Sequence, residues 1–185
     1  MKFKIHIVSS ILITAIASMS LSQILFDKPT PQFALLAHSK IKLELALTID
    51  QELKLAQILA PVTVEFQGRK VFQLGPTADA LDRLEAEVEA ALIATQRRRL
   101  REIWIQKQGS FTLLDSGIAK ELAVSKPQSE KIKKIATELS DKMMAPKPMR
   151  MDTKVLQEYK DRILKELTPA QNVRFMRMQG AKFLD

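Results

Sequence analysis

The sequence predicts an all-α fold, built as a tandem duplication of a four-helix unit whose helices open on capping boxes. Three observations carry this reading. Four segments place an aliphatic residue four positions before a glutamine, at near-constant intervals. The apolar residues that follow them recur at helical spacing. Aromatics make up only 5% of the 185 residues, and strands favour aromatics.

The chain opens with Lys2 and Lys4 ahead of an uncharged run from Ile7 to Phe26. That is the basic n-region and apolar h-region of a signal peptide, assigned to residues 1–22. Ala15-Ile16-Ala17 and Ser20-Leu21-Ser22 are the two cleavage candidates. The alternative is an uncleaved anchor, since the run is just long enough to span a bilayer. The small residues from Ala15 to Ser22 favour cleavage. Either way the rest of the chain is expected outside the cytoplasm, periplasmic or secreted, and meets the membrane only if the segment is uncleaved. Residues 23–32 read as a linker. The chain has no Cys. Disulfides, thiolate metal sites and a Cys nucleophile are therefore excluded, and stability must come from helix packing.

Two helical units follow, at residues 33–109 and 110–185. The four motif segments are Leu47-Thr48-Ile49-Asp50-Gln51, Leu92-Ile93-Ala94-Thr95-Gln96, Val124-Ser125-Lys126-Pro127-Gln128 and Leu167-Thr168-Pro169-Ala170-Gln171. The first and third are 77 residues apart, the second and fourth 75. Thr48, Ser125 and Thr168 each have a Gln three residues on. The hydroxyl can accept from the N3 amide while Gln51, Gln128 or Gln171 reaches back to the N-cap amide. Pro169 falls at N1 and Pro127 at N2, both tolerant positions. Ile93 has no hydroxyl, so there Thr95 caps instead or the helix runs through.

Each box opens an amphipathic helix. Ile132, Ile135, Ala136, Leu139 and Met143 lie on one helical face, and Leu55, Ile58, Leu59, Val62 and Phe66 are their counterparts. Pro61 should kink the first-unit helix or end it near Ala60. No stretch reads as a convincing strand; residues 62–72 are β-branched enough to be the doubtful one. Leu81, Leu84, Val88 and Leu92 match Leu156, Tyr159, Ile163 and Leu167 in the connecting helices. Leu100 and Ile103 match Phe175 and Met178 in the last ones. Gly109 and Gly180 read as helix stops. Gly75-Pro76 and Ala145-Pro146-Lys147-Pro148 break the two units internally.

The L-T-x-x-Q signature resembles the Spy/CpxP family of periplasmic helical stress proteins, which carry such a motif in each half. Gln106-Lys107-Gln108-Gly109, Leu113-Leu114-Asp115 and Ile118-Ala119-Lys120-Glu121-Leu122 also resemble secreted bacterial proteins with several such repeats. The resemblance implies ATP-independent chaperoning of unfolded proteins, or envelope-stress sensing through a fixed protein partner. A homodimer is compatible with it.

The residues themselves point away from catalysis. No glycine-rich phosphate loop is present, and no cofactor is expected. His38 is the one histidine outside the signal segment, and it lies in an amphipathic stretch that suits a structural role. Arg97-Arg98-Arg99-Leu100-Arg101 reads as a solvated face answering acidic residues 79–89, or as attraction for acidic partners. An extracytoplasmic site argues against nucleic acid. Six Met fall in the last 43 residues, among them Met143, Met144, Met149 and Met151, the candidate client-binding residues. Methionine is soft and adaptable, so it serves surfaces that accept varied partners as well as irregular cores. Paired thioethers suit copper(I), but they lack Cys or a nearby His, and no metal site is expected.

Overall fold

A computed structural model of the chain describes residues 29–66, 69–72, 78–144 and 153–184. The apolar periodicity becomes eight α-helices among the described residues: α1 (Ser39–Glu44), α2 (Ile49–Leu59), α3 (Ala78–Ala91), α4 (Ala94–Gln108), α5 (Ser116–Glu121), α6 (Lys126–Met144), α7 (Thr153–Leu164) and α8 (Pro169–Met178). Short 3-10 turns at Gln32–Ala37 and Gly109–Leu114 lead into α1 and α5. The fold is all-α, and both halves run in one order: turn, short helix, motif helix, connecting helix, motif helix. The signal-like segment 1–22, Gly75-Pro76 and Ala145 to Pro148 lie outside the described residues.

One segment departs from an all-helical reading. The doubtful stretch holds an antiparallel hairpin of β1 (Thr63–Phe66) and β2 (Arg69–Phe72), with Thr63 opposite Phe72 and Phe66 opposite Arg69. Pro61 is the cause. It lacks an N–H, so α2 stops at Leu59 and a 3-10 turn, Ala60–Val62, takes the chain out of the helix. The following Thr63-Val64 and Val71-Phe72 prefer extended backbone. Phe66, matched in sequence to an apolar position of α6, therefore lies in a strand. The counterpart of Pro61 is Glu138, and α6 runs on unbroken to Met144.

The core assembles from the faces the periodicity marks. Leu55, Leu59 and Val62 are buried in one half, and Ile132, Ile135, Ala136 and Leu139 in the other. Leu84, Val88 and Leu92 of the first connection match buried Tyr159, Ile163 and Leu167 of the second. Leu100, Ile103 and Phe175 complete a single cluster with Trp104 and Phe111. Within the second half, Ser110 Oγ donates to the Lys160 carbonyl at 2.8 Å. Other hydrogen bonds cross between the halves. The side-chain amide of Gln106 donates to the carbonyls of Gln179 (2.5 Å) and Ala181 (2.8 Å), tying the chain beyond α8 to α4.

Both short helices end alike. Past α1, Leu47 N–H donates to the Lys42 carbonyl and Ala46 N–H to that of Leu43. Past α5, Val124 and Ala123 make the same bonds to Ala119 and Lys120. These are paired Schellman closures, and they need a left-handed residue at C′. Alanine occupies it in both, with φ of 47° at Ala46 and 52° at Ala123. A left-handed alanine is strained by roughly 1–2 kcal/mol, and glycine's extra unfolded-state freedom offsets part of that. Ala123→Gly is thus expected to stabilise the fold by about 0.5–1 kcal/mol, raising Tm by about 2 °C in a chain of this size. Ala119→Gly, inside α5, should lower Tm instead. Thermal unfolding followed by circular dichroism separates the two.

Candidate functional site: paired glutamines and an exposed apolar surface

The capping boxes form where the sequence places them. Thr48 Oγ1 accepts from Gln51 N–H at 3.2 Å, and Gln51 Oε1 accepts from Thr48 N–H at 3.1 Å. At Thr168 and Gln171 the same two bonds are 3.2 and 2.8 Å. At Ser125 and Gln128 they are 3.4 and 2.9 Å. The second motif keeps half a box. Ile93 is the N-cap of α4 with extended backbone, and its side chain has no acceptor. Only the return bond remains, from Ile93 N–H to Gln96 Oε1 at 3.0 Å. The helix does not run through, because α3 ends at Ala91, and it does not restart on Thr95, because α4 begins at Ala94.

The glutamines do more than close their own boxes. Gln51 Nε2 donates to Gln96 Oε1 at 2.8 Å, and Gln96 Nε2 donates back to Gln51 Oε1 at 3.0 Å. Each spare amide hydrogen reaches a helix end: Gln51 to the Ala91 carbonyl, Gln96 to the Leu45 carbonyl, both at 3.1 Å. The second half repeats the arrangement. Gln128 and Gln171 exchange bonds of 2.8 and 3.2 Å, and reach the carbonyls of Glu166 (2.7 Å) and Ala123 (3.0 Å). Every donor and acceptor of these four amides is thereby used. The pairs lock two helix starts and two helix ends together in each half. Sequence reasoning found the caps and missed the pairing. Its available signal was Gln96, which persists where the cap hydroxyl is lost and so must have another role.

Three of the four arginines in the basic run are occupied within the chain. Arg97 donates to the carbonyls of Glu89 (3.0 Å) and Leu92 (2.7 Å), capping the end of acidic α3. Arg99 joins Glu44 at 2.7 Å, Glu102 at 3.0 Å and the Ala181 carbonyl at 2.7 Å. Arg101 pairs with Glu121 of α5. Arg98 and Arg101 line an open cavity of about 610 Å³ together with Glu85, Glu89 and Asp115. Burial, with Glu89 and Asp115 nearby, pushes the Glu85 carboxyl above its usual range. The Arg162 guanidinium of α7, helped by Lys142 and the Tyr159 hydroxyl, holds the Glu138 carboxyl of α6 down at about 2. These are structural ion pairs. Among the described residues no group of three His, Cys, Asp or Glu could hold a metal. His38 is exposed at the start of α1 and makes no side-chain cap.

Large apolar side chains reach the surface in both halves, with Val173, Met176 and Leu184 exposed in the second. Leu43, Ile49, Leu53 and Ile93 are between 60% and 80% exposed. Of the candidate client-binding methionines, Met143 is partly buried against the core, and Met144 ends α6. Met149 and Met151 lie outside the described residues. No helix among the described residues is long and apolar enough to cross a membrane. Compared with family models, curated proteins and solved structures, the chain matches none. The likeness to Spy/CpxP proteins therefore rests on the motif residues alone.

Proposed function

We propose that the protein is a non-enzymatic, extracytoplasmic binding protein of the Spy/CpxP kind, holding exposed apolar segments of other proteins without ATP. One observation carries the reading. Leu43, Ile49, Leu53 and Ile93 are exposed where the matching positions of the second half are Lys120, Lys126, Glu130 and Thr168. Single exposed apolar residues are ordinary, but four at positions the other half keeps polar set one surface apart. Exposed Asp50, Glu52, Lys40 and Lys54 flank it, so a segment with an apolar centre and charges of both signs suits it. The Met cluster read from the sequence favours the second half; this surface adds a first-half site. Its confined extent also supports a second reading, a scaffold or envelope sensor that binds one fixed protein partner.

The test is suppression of aggregation of several unrelated client proteins in the absence of ATP. Ile49→Ser/Leu53→Ser is expected to cut suppression several-fold while helicity and Tm stay unchanged, because both side chains already face water. Unchanged suppression would remove this surface from the reading. Failure of the wild type on every client would leave the fixed-partner reading in place.

A further inference from the structure

The space between α3 and α4 carries charges that packing does not need. The two helices meet at the Leu92-Ile93 joint, and the 3-10 turn Gln32–Ala37 packs against both. The cavity they leave, about 610 Å³, has the size of a small-ligand site. Glu85 and Glu89 line it from α3, Arg98 and Arg101 from α4, and Asp115 from the N-cap of α5. Opposite charges share the cavity without meeting: among the described residues Glu85, Glu89 and Arg98 make no ion pair. Glu85 accepts from Gln32 N–H, and Asp115 Oδ1 from Ile118 N–H at 2.9 Å, so both carboxylates are held in the wall. Burial and the charges of Glu89 and Asp115 disfavour the ionised form of Glu85, which a bound cation would relieve.

The second half shows the same helix pair without these walls. There, 75 residues on, Glu85 and Glu89 become Lys160 and Leu164, and Arg98 and Arg101 become Val173 and Met176. Both walls change together, as two sides of one site do. A lone anion would face the carboxylates unpaired, and a lone cation the arginines. A ligand that carries both signs meets both walls.

We infer that this cavity binds short zwitterionic peptides with both ends free, the ammonium held by Glu85, Glu89 and Asp115 and the carboxylate by Arg98 with Arg101 beside it. The guanidinium fork matches a carboxylate in shape as well as charge. Packed helices lie roughly 8–10 Å apart and extended chain spans about 3.3–3.6 Å per residue, so about three residues reach from wall to wall. Phe33 and Val88 give the middle of the peptide an apolar floor. Leu43, Ile49, Leu53 and Ile93 do not line the cavity, so the site is separate from the surface of the proposed function.

Isothermal titration calorimetry of the purified protein with the tripeptide alanyl-leucyl-alanine tests it. Saturable binding is expected. Acetylating the peptide amine, or amidating its carboxylate, should each weaken binding about tenfold, as loss of a charge-assisted contact does. Arg98→Gln should weaken binding of the free peptide by a similar factor and leave the amidated one unchanged, because that peptide has already lost the contact. Glu89→Gln should act likewise, by a smaller factor, on the free against the acetylated peptide, since Glu85 and Asp115 remain. Glu89 and Arg98 are exposed, so Tm should not move. Absence of saturable binding, or an Arg98→Gln loss equal for free and amidated peptide, overturns the inference. Ile49→Ser/Leu53→Ser should bind the tripeptide as the wild type does. Client suppression without tripeptide binding sinks only this inference, and the converse sinks only the proposed function.

Discussion

Gln171→Leu is expected to destabilise the protein by about 2–4 kcal/mol, far more than the loss of a helix cap. The substitution keeps the volume but leaves Thr168 N–H and the Ala123 carbonyl without this partner, and takes one of two bonds from each polar atom of the Gln128 amide, which keeps Ser125 N–H and the Glu166 carbonyl. Each buried group left without a partner costs roughly 1–3 kcal/mol, and partial access to water at Gln128 lowers the sum. Thr168→Ala removes only the hydroxyl and should cost about 1 kcal/mol, the usual loss for an N-cap. Ile93→Ala should cost nothing through capping, having no hydroxyl to lose. The decisive measurement is a double-mutant cycle in urea. Gln128→Leu/Gln171→Leu removes both members, so its cost should fall below the sum of the singles by about 1–3 kcal/mol. Additive singles would mean the two amides act only within their own boxes. The Gln51 and Gln96 pair should behave alike.

The caps were legible because each box lies within four residues, where spacing alone fixes who can reach whom. The amide pairs were not, because their members are 43 and 45 residues apart and the local box already accounts for each glutamine. Ala46 and Ala123 carry no sign of a left-handed backbone, since alanine is the residue helices favour most. The hairpin was half legible. Pro61 marked the helix end, but matching the two halves carried Phe66 onto a helical face, and local preference for extended chain won. The exposed surface was hidden by composition. Ile49 and Leu53 look no different from the buried Leu55 and Leu59 in an amphipathic stretch. Only comparison with Lys126 and Glu130 distinguishes them.

Gly109→Ala should cost about 2–3 kcal/mol, because this glycine joins the halves in a conformation other residues avoid. Its φ of 63° and ψ of −142° lie outside the left-handed helical well that alanine tolerates at Ala46 and Ala123. Non-glycine residues held in such sparsely populated regions cost of order 1–3 kcal/mol. The neighbourhood leaves little room to relax. Gly109 N–H donates to the Ile105 carbonyl, closing α4. Its own carbonyl accepts from Thr112 Oγ1 at 2.8 Å, opening the turn that buries Phe111 and Leu113. A Cβ would also lie 3.2 Å from Lys160 Cδ, but that stem is flexible and can move aside. Strain in the backbone, not the clash, should therefore set the loss. Placing Gly109→Ala in a Lys160→Ala background tests this: Tm should stay depressed by roughly 4–10 °C relative to Lys160→Ala alone. Recovery in that background would shift the cause to the lysine contact. Gly180→Ala is the comparison on the far side of α8. There φ is 61° and a Cβ would run into the Glu102 side chain, but that side chain can swing aside, and only the chain end past α8, held by Arg99 and Gln106 through Ala181, has to re-settle. Its loss should be the smaller of the two, and equal losses would mean that the joint at Gly109 is no stiffer than the chain end.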